Sequence, residues 1–482
     1  MVVLNEYKLF VQRIGLVGIT NILLSISPLI LLPVLTKSYS IDNYGIWVQV
    51  NVTIGLLPNL AGLGLPIAIM RFIPALKEKI DLQETFYSIA CVVFLAGTIT
   101  STILILFSSY IASALFGGNT SIAIFTSIIV FILCLNNLFY SLFRGLHQIK
   151  LYSIFLVFQT YLNVALVSYF ALNNYNILFP IIGILISQII TFLVMLIPVL
   201  KDIGFKVPRF TNLRQYLSFS LPSIPSNLSY WIVDSSDRYV IGLILGLSFV
   251  GYYSPGYALG NIVMMFFAPF ITILPATISK FYDKGEITMV KTLLEYSMKY
   301  FLLMAIPAVV GLSLLSKPIL TILSTPEIAS NGYLVTPFVA FGALLMGISG
   351  IMSHTIIVKY NTKIIGIIWI ITAIINLVLN IIFVPYYGIL GAAAMTTLSY
   401  GVSFLLTTFY SLKHIKFGID FRFILKSIFA SILMSVIILT LYPRGVGGIL
   451  IITVLSTLVY ALGILILKGI SREEIQFLKK MV

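Results

Sequence analysis

The sequence has few charged residues. Of its 482 residues, 9% are charged and 60% are hydrophobic, and the mean hydropathy is +1.09. Soluble domains carry about 25% charged residues. Because so few charges cannot cover a surface that faces water, the composition excludes an ordinary soluble protein and places most of the outer surface against lipid.

Cysteine and histidine are also scarce. Cys91 and Cys134 both lie in apolar runs, which excludes a disulfide framework and a cysteine metal site. Neither His147 nor His354 has a second ligand at metal-binding spacing, so we expect no metal or other cofactor. A glycine-rich phosphate loop followed by Lys-Ser/Thr is absent too, which argues against ATP-driven transport by this chain.

Long apolar runs are abundant. A membrane span needs about 20 mainly apolar residues, and the chain contains fourteen such runs. The sequence therefore predicts an all-α integral membrane protein with about 14 transmembrane helices. The predicted spans are 14–36, 44–70, 86–108, 121–143, 151–171, 177–200, 216–245, 251–279, 294–315, 331–358, 364–384, 389–412, 423–442 and 448–467.

The basic residues alternate with these spans. Lysine and arginine collect in cytoplasmic loops, and a cytoplasmic N-terminus places 24 of the 29 basic residues on that side. Both termini are then cytoplasmic, in a multi-pass protein of the cell membrane. The net charge of +14 is therefore a topology signal, and we expect no nucleic-acid partner. The exceptions are Lys37, Lys317 and Arg444 outside, and Arg238 and Lys299 within spans.

The two halves of the chain resemble each other weakly. Asn21 and Gly45 recur 206 residues later as Asn227 and Gly251, and a Tyr-x-Ile-Leu motif recurs after 212 residues. Six spans separate the partners, and an even number gives both repeats the same orientation. The pattern predicts two parallel-repeat six-helix lobes around a central cavity. We assign residues 1–208 to the N-terminal lobe, 209–420 to the C-terminal lobe, and 421–482 to two additional helices and a cytoplasmic tail.

The seventh span contains three ionisable residues, Asp234, Asp237 and Arg238. A charge at the bilayer centre costs at least about 2.5–3.5 kcal/mol, so such residues usually face a cavity or a partner. Asp234 and Arg238 are four residues apart and can pair along one helix face. Pro222 and Pro225 favour a kink at the start of this span. Two interpretations stay open: a polar wall of a moving cavity, or a lock between two helices.

Three further polar residues complete the predicted substrate-binding set. Arg71, at the end of the second span, either binds a lipid phosphate or anchors the span at the interface. Asn21 lies in a first span that also holds serines and prolines, and Asn227 is its counterpart in the seventh. The predicted set is therefore Arg238, Asp237, Asp234, Arg71, Asn21 and Asn227.

Three segments carry a family resemblance. They are LTKSYSIDNYGIWV, then SLPSIPSNLSYWIVDSSDRYVIG followed by GLSFVGYYSPGYALG, and NLVLNIIFVPYYGILGAAAMTTLSYG. Over nearly the whole chain the sequence resembles the Wzx-type polysaccharide flippases, in the multidrug/oligosaccharidyl-lipid/polysaccharide exporter superfamily. The Asp-Arg-Tyr motif followed by Gly-Tyr-Tyr-Ser is the most specific part of the resemblance.

The resemblance implies two facing six-helix lobes with two extra helices. It implies that a polyprenyl pyrophosphate carrying an oligosaccharide is flipped from the cytoplasmic to the outer leaflet by alternating access, without covalent chemistry. Asp237 and Arg238 match the family's Asp-Arg-Tyr pattern, and Arg238 and Arg71 are suggested for the anionic headgroup. We further expect a monomer among membrane lipids, with a polysaccharide polymerase or glycosyltransferases as partners. Coupling to a Na⁺ or H⁺ gradient through Asp234 or Asp237 is a hypothesis.

Other functions remain open at this point. A multidrug or small-molecule exporter and a peptidoglycan-precursor (lipid II) flippase would share the fold. A membrane enzyme acting on lipid-linked sugars would need a large outer loop or an acidic cluster, and the predicted outer loops are short with few ionisable groups. We therefore expect no enzyme. A purely structural scaffold would not need three charges in the seventh span.

Overall fold

A computed structural model describes residues 2–441, 443 and 445–469, with side chains from residue 16 onward. Every regular element among these residues is a helix, which confirms the predicted all-α membrane fold. Arg444 and the predicted cytoplasmic tail beyond residue 469 lie outside the described residues.

The chain divides into two compact units, Met1–Gly251 and Tyr252–Val482. The division falls inside one helix, α11, and leaves the predicted seventh span with the first unit. The predicted lobe boundary at residues 208/209, which rests on the internal repeat, stays a prediction. The helices of the first unit are α1 Val2–Ser38, α2 Ile41–Ala61, α3 Leu65–Phe72, α4 Lys79–Leu106, α5 Ser108–Leu115, α6 Thr120–Gly145, α7 Ile149–Leu172, α8 Leu178–Ile203, α9 Leu213–Ser220 and α10 Ile224–Ile244.

The second unit begins within α11 and contains the remaining helices. The longest of them, α16, has 53 residues and is interrupted at Gly388, whose φ of 61° and ψ of −146° suit glycine alone. It therefore comprises two consecutive helices. The helices are α11 Leu247–Asn261, α12 Ala268–Asp283, α13 Ile287–Leu323, α14 Pro326–Gly332, α15 Val335–Ile357, α16 Thr362–His414, α17 Phe421–Leu441 and α18 Gly445–Ile466.

The helices account for the predicted spans. Eleven helical segments within the described residues are long and apolar enough to cross a membrane, and the bent pair α2–α3 makes a twelfth. The eleven segments count α16 once, although two of the predicted spans lie in it, one on each side of its interruption. The remaining predicted span corresponds to α10. This helix is too polar to be counted among the twelve, because it contains several serines together with Asp234, Asp237 and Arg238.

The second span is broken between α2 and α3, which meet at a bend of 58°. Gly64 precedes α3 with a φ of 66°, the left-handed region that favours glycine. A Cβ atom at this position would lie 2.7 Å from both the carbonyl oxygen of Ser220 and the Oγ atom of Ser223. The break therefore depends on glycine twice, for its backbone conformation and for the close approach of the segment after α9.

Replacing Gly64 with alanine tests this double requirement. Gly118→Ala is the matched control, because Gly118 has a φ of 81° but open space around its Cβ position. We expect Gly118→Ala to lower the free energy of unfolding by about 1–2 kcal/mol, the cost of a left-handed alanine. Gly64→Ala should cost about 2–4 kcal/mol, because the clash adds to that strain. Equal losses for the two variants in equilibrium unfolding in mixed micelles would contradict the close packing at the break.

The core of the first unit surrounds α6. Leu65 and Ile69 on α3, Ile89 on α4 and Phe143 on α6 are fully or almost fully buried in one cluster. The cluster joins the C-terminal half of α6 to the short helix α3. It thereby fixes the end of α6 that borders the cavity described below.

The last two helices of the second unit pack on α13. In α17 and α18, the hydroxyls of Ser427 and Tyr460 lie 2.8 Å apart, and Tyr460 also donates a 2.8 Å hydrogen bond to the carbonyl oxygen of Leu303 on α13. The ammonium group of Lys299, also on α13, lies 5.4 Å from the ring centre of Phe423. The predicted additional helices are thus docked on α13 through buried polar contacts.

Candidate functional site

The first unit contains a polar cavity of about 250 Å³. It is bordered by the ends of α2 and α6 and by the starts of α3, α7 and α10. Its walls mix apolar surface with amide, hydroxyl and guanidinium groups, the kind of lining that orients a ligand by a few polar contacts. The lining residues are Pro58, Asn59, Gly64, Pro66, Ile67, Met70, Asn137, Tyr140, Ser141, Arg144, Tyr152, Leu156 and Asn227.

One face of α6 supplies the most polar wall. Asn137 is followed by Tyr140, Ser141 and Arg144 three, four and seven residues later, which places all four on the same side of a helix. Arg144 is the one charged side chain among the described residues that line the cavity, and none of them is a carboxylate. The cavity therefore favours an anion over a cation.

The guanidinium group of Arg144 is positioned by an aromatic ring. Its Cζ atom lies 5.2 Å from the ring centre of Tyr152 on α7, within the range of a cation–π interaction. The ring of Tyr152 in turn meets that of Tyr140 edge-on at 5.9 Å and 89°. Because the guanidinium rests on a ring face, its N–H groups stay available to an acceptor in the cavity.

A hydrogen-bond network continues from Tyr140 into the helix bundle. The hydroxyl of Tyr140 donates to Oε1 of Gln159, whose Nε2 donates to Oε1 of Gln188 at 2.6 Å. Asn136 donates to the same Gln188 atom at 2.8 Å. These uncharged groups link α6, α7 and α8 and satisfy most of one another's hydrogen bonds, as groups within spanning helices must.

The start of α3 also borders the cavity, through Gly64, Pro66 and Ile67. The amide groups of Leu65 and Ile67 already donate to Gly62 and Gly64 at 2.9 Å, and Pro66 has no N–H group. This helix end therefore offers its dipole but no free donor from its first turn. Arg144 remains the principal group that can bind an anion.

Only one member of the predicted binding set lines this cavity. Asn227, near the start of α10, forms part of its wall. Arg71 is exposed at the end of α3 and is not a lining residue, although the neighbouring Met70 is. Asn21 is exposed on α1, and its carbonyl oxygen accepts a 2.8 Å hydrogen bond from Ser25.

Asp237 and Arg238 lie further along α10 and are buried in the first unit. Asp237 is completely buried, and its Oδ1 atom lies 3.0 Å from Nη1 of Arg238. Gln49 of α2 donates a 2.7 Å hydrogen bond to the carbonyl oxygen of Arg238. One helical turn away on α2, the hydroxyl of Thr53 lies 2.7 Å from that of Tyr239. Polar contacts thus join α2 to α10.

The predicted partner of Arg238, Asp234, contacts it in another way. Nη1 of Arg238 donates to the main-chain carbonyl oxygen of Asp234, while Oδ2 of Asp234 accepts a 2.9 Å hydrogen bond from Ser235. These contacts of Asp234, Asp237 and Arg238 lie within α10, so both interpretations of these residues stay predictions. Their role in substrate binding stays a prediction.

Two known protein families match parts of the chain. The family model described as polysaccharide biosynthesis protein matches residues 10–281, more than half of the chain. The chain belongs to this family. A second family model, MatE, matches residues 222–382. The predicted relation to the polysaccharide flippases of the exporter superfamily is thereby confirmed.

A curated relative of this chain comes from Haloferax volcanii and is named as a probable low-salt glycan biosynthesis flippase, Agl15. The two sequences are 26% identical over 216 residues. The match covers 44% of this chain and 46% of the relative, so it spans less than half of either protein.

Solved structures extend the comparison over the whole fold. A lipid II flippase MurJ in an inward closed conformation has a TM-score of 0.75 at 18% identity, covering 94% of this chain and 98% of that one. An inward-facing multidrug resistance MATE family transporter has a TM-score of 0.69 at 17% identity, covering 81% and 94%. At these identities the likeness shows a shared fold.

Most residues that line this cavity lie outside the binding set predicted from the sequence. The alternation of basic residues places Arg144 among the 24 on the cytoplasmic side and gives it no further role. The available signal was the polar stripe of α6, where Asn137, Tyr140 and Ser141 interrupt an apolar span at helical spacing ahead of the arginine. Charged residues within spans do not reveal this stripe, because three of its four residues are uncharged.

Removing one member of the buried pair tests the ion pair of Asp237 and Arg238. Asp237→Leu leaves the guanidinium of Arg238 buried, so we expect a loss of about 3–5 kcal/mol in the free energy of unfolding. Combining it with Arg238→Met should recover most of this loss, because two apolar side chains need no partner. The measurement is equilibrium unfolding in mixed micelles, with exposed Arg71→Met as control. A double variant as unstable as Asp237→Leu would show that the loss does not come from an unpaired guanidinium.

Proposed function

We propose that this protein flips a polyprenyl-pyrophosphate-linked oligosaccharide, a polysaccharide repeat unit, from the cytoplasmic to the outer leaflet by alternating access. The observation that carries the proposal is the cavity in the first unit, which contains Arg144 and no carboxylate among its described lining residues. Such a lining suits a ligand that joins negative charge to many hydroxyl groups.

The chemistry of the lining matches the parts of that substrate. An arginine fork binds phosphate oxygens through parallel N–H···O bonds, which are stronger than neutral hydrogen bonds. The amides of Asn59, Asn137 and Asn227 both donate and accept, as sugar hydroxyls require. The polyprenyl tail needs no such partners and stays in the lipid, because its transfer from hydrocarbon to a polar cavity would be unfavourable.

The relatives support a glycan substrate. The matching family is described as polysaccharide biosynthesis protein, and the Haloferax volcanii relative is named a glycan biosynthesis flippase.

Transport by conformational change needs no catalytic group, so we propose a transporter and no enzyme. Both termini are proposed to be cytoplasmic, and polysaccharide polymerase or glycosyltransferases are proposed partners of a monomer.

The alternative substrates make different demands on the cavity. An exporter of cationic drugs needs a carboxylate or an open aromatic face, whereas the ring of Tyr152 already carries the guanidinium of Arg144. A lipid II flippase would use the same arginine for the same pyrophosphate chemistry, and the substrate panel below separates the two glycolipids. Coupling to a Na⁺ or H⁺ gradient through Asp234 or Asp237 remains a proposal, to be tested by imposing each gradient on proteoliposomes.

Arg144→Met is the direct test of the proposed function. A charge-assisted hydrogen bond contributes about 1.5–3 kcal/mol, so its loss should slow flipping by about 10- to 100-fold. Arg144→Lys should retain intermediate activity. Arg214→Met is the matched control, since Arg214 on α9 is exposed and outside the cavity lining, and it should flip within about twofold of the unaltered protein.

The assay follows transfer of a fluorescent prenyl-pyrophosphate oligosaccharide between leaflets of proteoliposomes by dithionite quenching. Lipid II and a cationic dye complete the panel. Equal rates for Arg144→Met and the unaltered protein would refute the role of the cavity. Transport of the dye without the glycolipid would replace the proposed function by drug export, and preference for lipid II would favour the peptidoglycan-precursor flippase.

A further inference from the structure

A second cavity, of about 530 Å³, lies at the opposite ends of the same helices in the first unit. It is bordered by the end of α1, the start of α2, the segment between α5 and α6, and the segment between α7 and α8. Asn119, which precedes α6, is 25 residues from Arg144, a distance of about 37 Å along a helix. The two cavities are therefore separate sites.

Four asparagines characterise the lining of this second cavity: Asn43, Asn119, Asn174 and Asn176. The Oδ1 atoms of Asn119 and Asn176 accept main-chain hydrogen bonds from Ile122 at 3.3 Å and from Leu178 at 3.2 Å. Those bonds fix each amide plane and leave both N–H groups of each side chain available. The cavity thus presents several amides that donate and accept within one concave surface.

Two tyrosines add an aromatic face to these amides. The ring of Tyr175 packs between Phe170 and Phe179, at centroid distances of 5.5 and 5.0 Å, and stays 40% exposed. Tyr39 donates a 2.9 Å hydrogen bond to the carbonyl oxygen of Tyr175, which ties α1 to this segment. Burial raises the pKa of Tyr39 to about 12, so its hydroxyl stays protonated and neutral at physiological pH. The two phenylalanine rings hold the partly exposed ring of Tyr175 in place.

The described lining of the second cavity carries no formal charge. Besides the asparagines and tyrosines it contains Ser38, Gly117 and apolar side chains. The nearest carboxylate in sequence, that of Asp42, accepts a hydrogen bond from Ser248 and is not part of the lining. An ionic ligand would find no compensating charge in this lining, in contrast to the cavity of Arg144.

We propose that the second cavity binds uncharged sugar residues. A pyranose ring offers hydroxyls to the amides at its edge, while its C–H groups pack on the exposed part of the Tyr175 ring. Tyrosine, asparagine, serine and glycine together make rigid aromatic and adaptable polar contacts, as in other recognition surfaces.

The role of this site in transport rests on the proposed function. A glycolipid whose pyrophosphate binds near Arg144 at one end of the unit would meet a charge-free sugar site at the other end. That site would hold the glycan after translocation and disfavour its return. Binding of sugar itself depends only on the lining and can be tested without transport.

Saturation-transfer NMR with maltotriose and the full-length protein in lipid nanodiscs tests the proposal. We expect transfer to the sugar C–H protons, with a dissociation constant on the order of 1 mM. Asn43→Leu and Tyr175→Leu should weaken binding by about threefold to tenfold. Tyr110→Leu is the matched control, since Tyr110 lies on neighbouring α5, is 76% exposed and does not line the cavity. Asn43→Asp serves as a second variant if Asn43→Leu does not fold.

The outcomes separate this site from the first cavity. Arg144→Met should bind maltotriose as the unaltered protein does, even though we expect it to flip poorly. Absence of saturation transfer in the unaltered protein, or equal binding by Tyr175→Leu and Tyr110→Leu, would overturn the sugar site and leave the proposed function standing. Loss of binding in Arg144→Met would place the sugar in the first cavity and would also overturn the proposal.

Discussion

A polar group that enters hydrocarbon without a partner costs several kcal/mol, and this cost governs where the polar side chains of the chain lie. In the first unit, several of them pair with each other and others line a cavity. Tyr140, Gln159, Gln188 and Asn136 bond to one another between three helices. Asp237 and Arg238 neutralise each other beside α2. The arginine that borders an open cavity, Arg144, rests on an aromatic ring.

The same constraint separates structural charges from charges available to a ligand. Asp237 is completely buried and Arg238 nearly so, and the two side chains pair with each other. Arg144 is exposed toward a cavity whose other polar groups are uncharged. Charge within a span therefore does not by itself identify a binding site. Access to a concave surface does, and access depends on the packing of α2, α3, α6, α7 and α10.

Apolar periodicity and basic loops were sufficient to predict the fold. The all-α membrane architecture is confirmed, and a short 3₁₀ helix, Leu221–Ser223, separates α9 from α10 where the prolines predict a kink. The site was harder to predict, because only Asn227 of the predicted set lines the cavity. Arg144 sits at a helix end, where a basic residue is expected from topology alone, and its use becomes visible only when Tyr152 and α3 are placed beside it.

Photo-crosslinking tests the central claim, that the cavity of Arg144 holds the pyrophosphate headgroup, most directly. Met70→p-benzoylphenylalanine places a photoreactive group in the lining, and the same replacement at Arg71 places it one residue outside. With a fluorescent prenyl-pyrophosphate oligosaccharide, we predict labelling from position 70, competition by unlabelled prenyl pyrophosphate but not by the free prenol, and little labelling from position 71. Equal labelling from both positions, or labelling from position 70 that prenyl pyrophosphate does not reduce, would contradict the account.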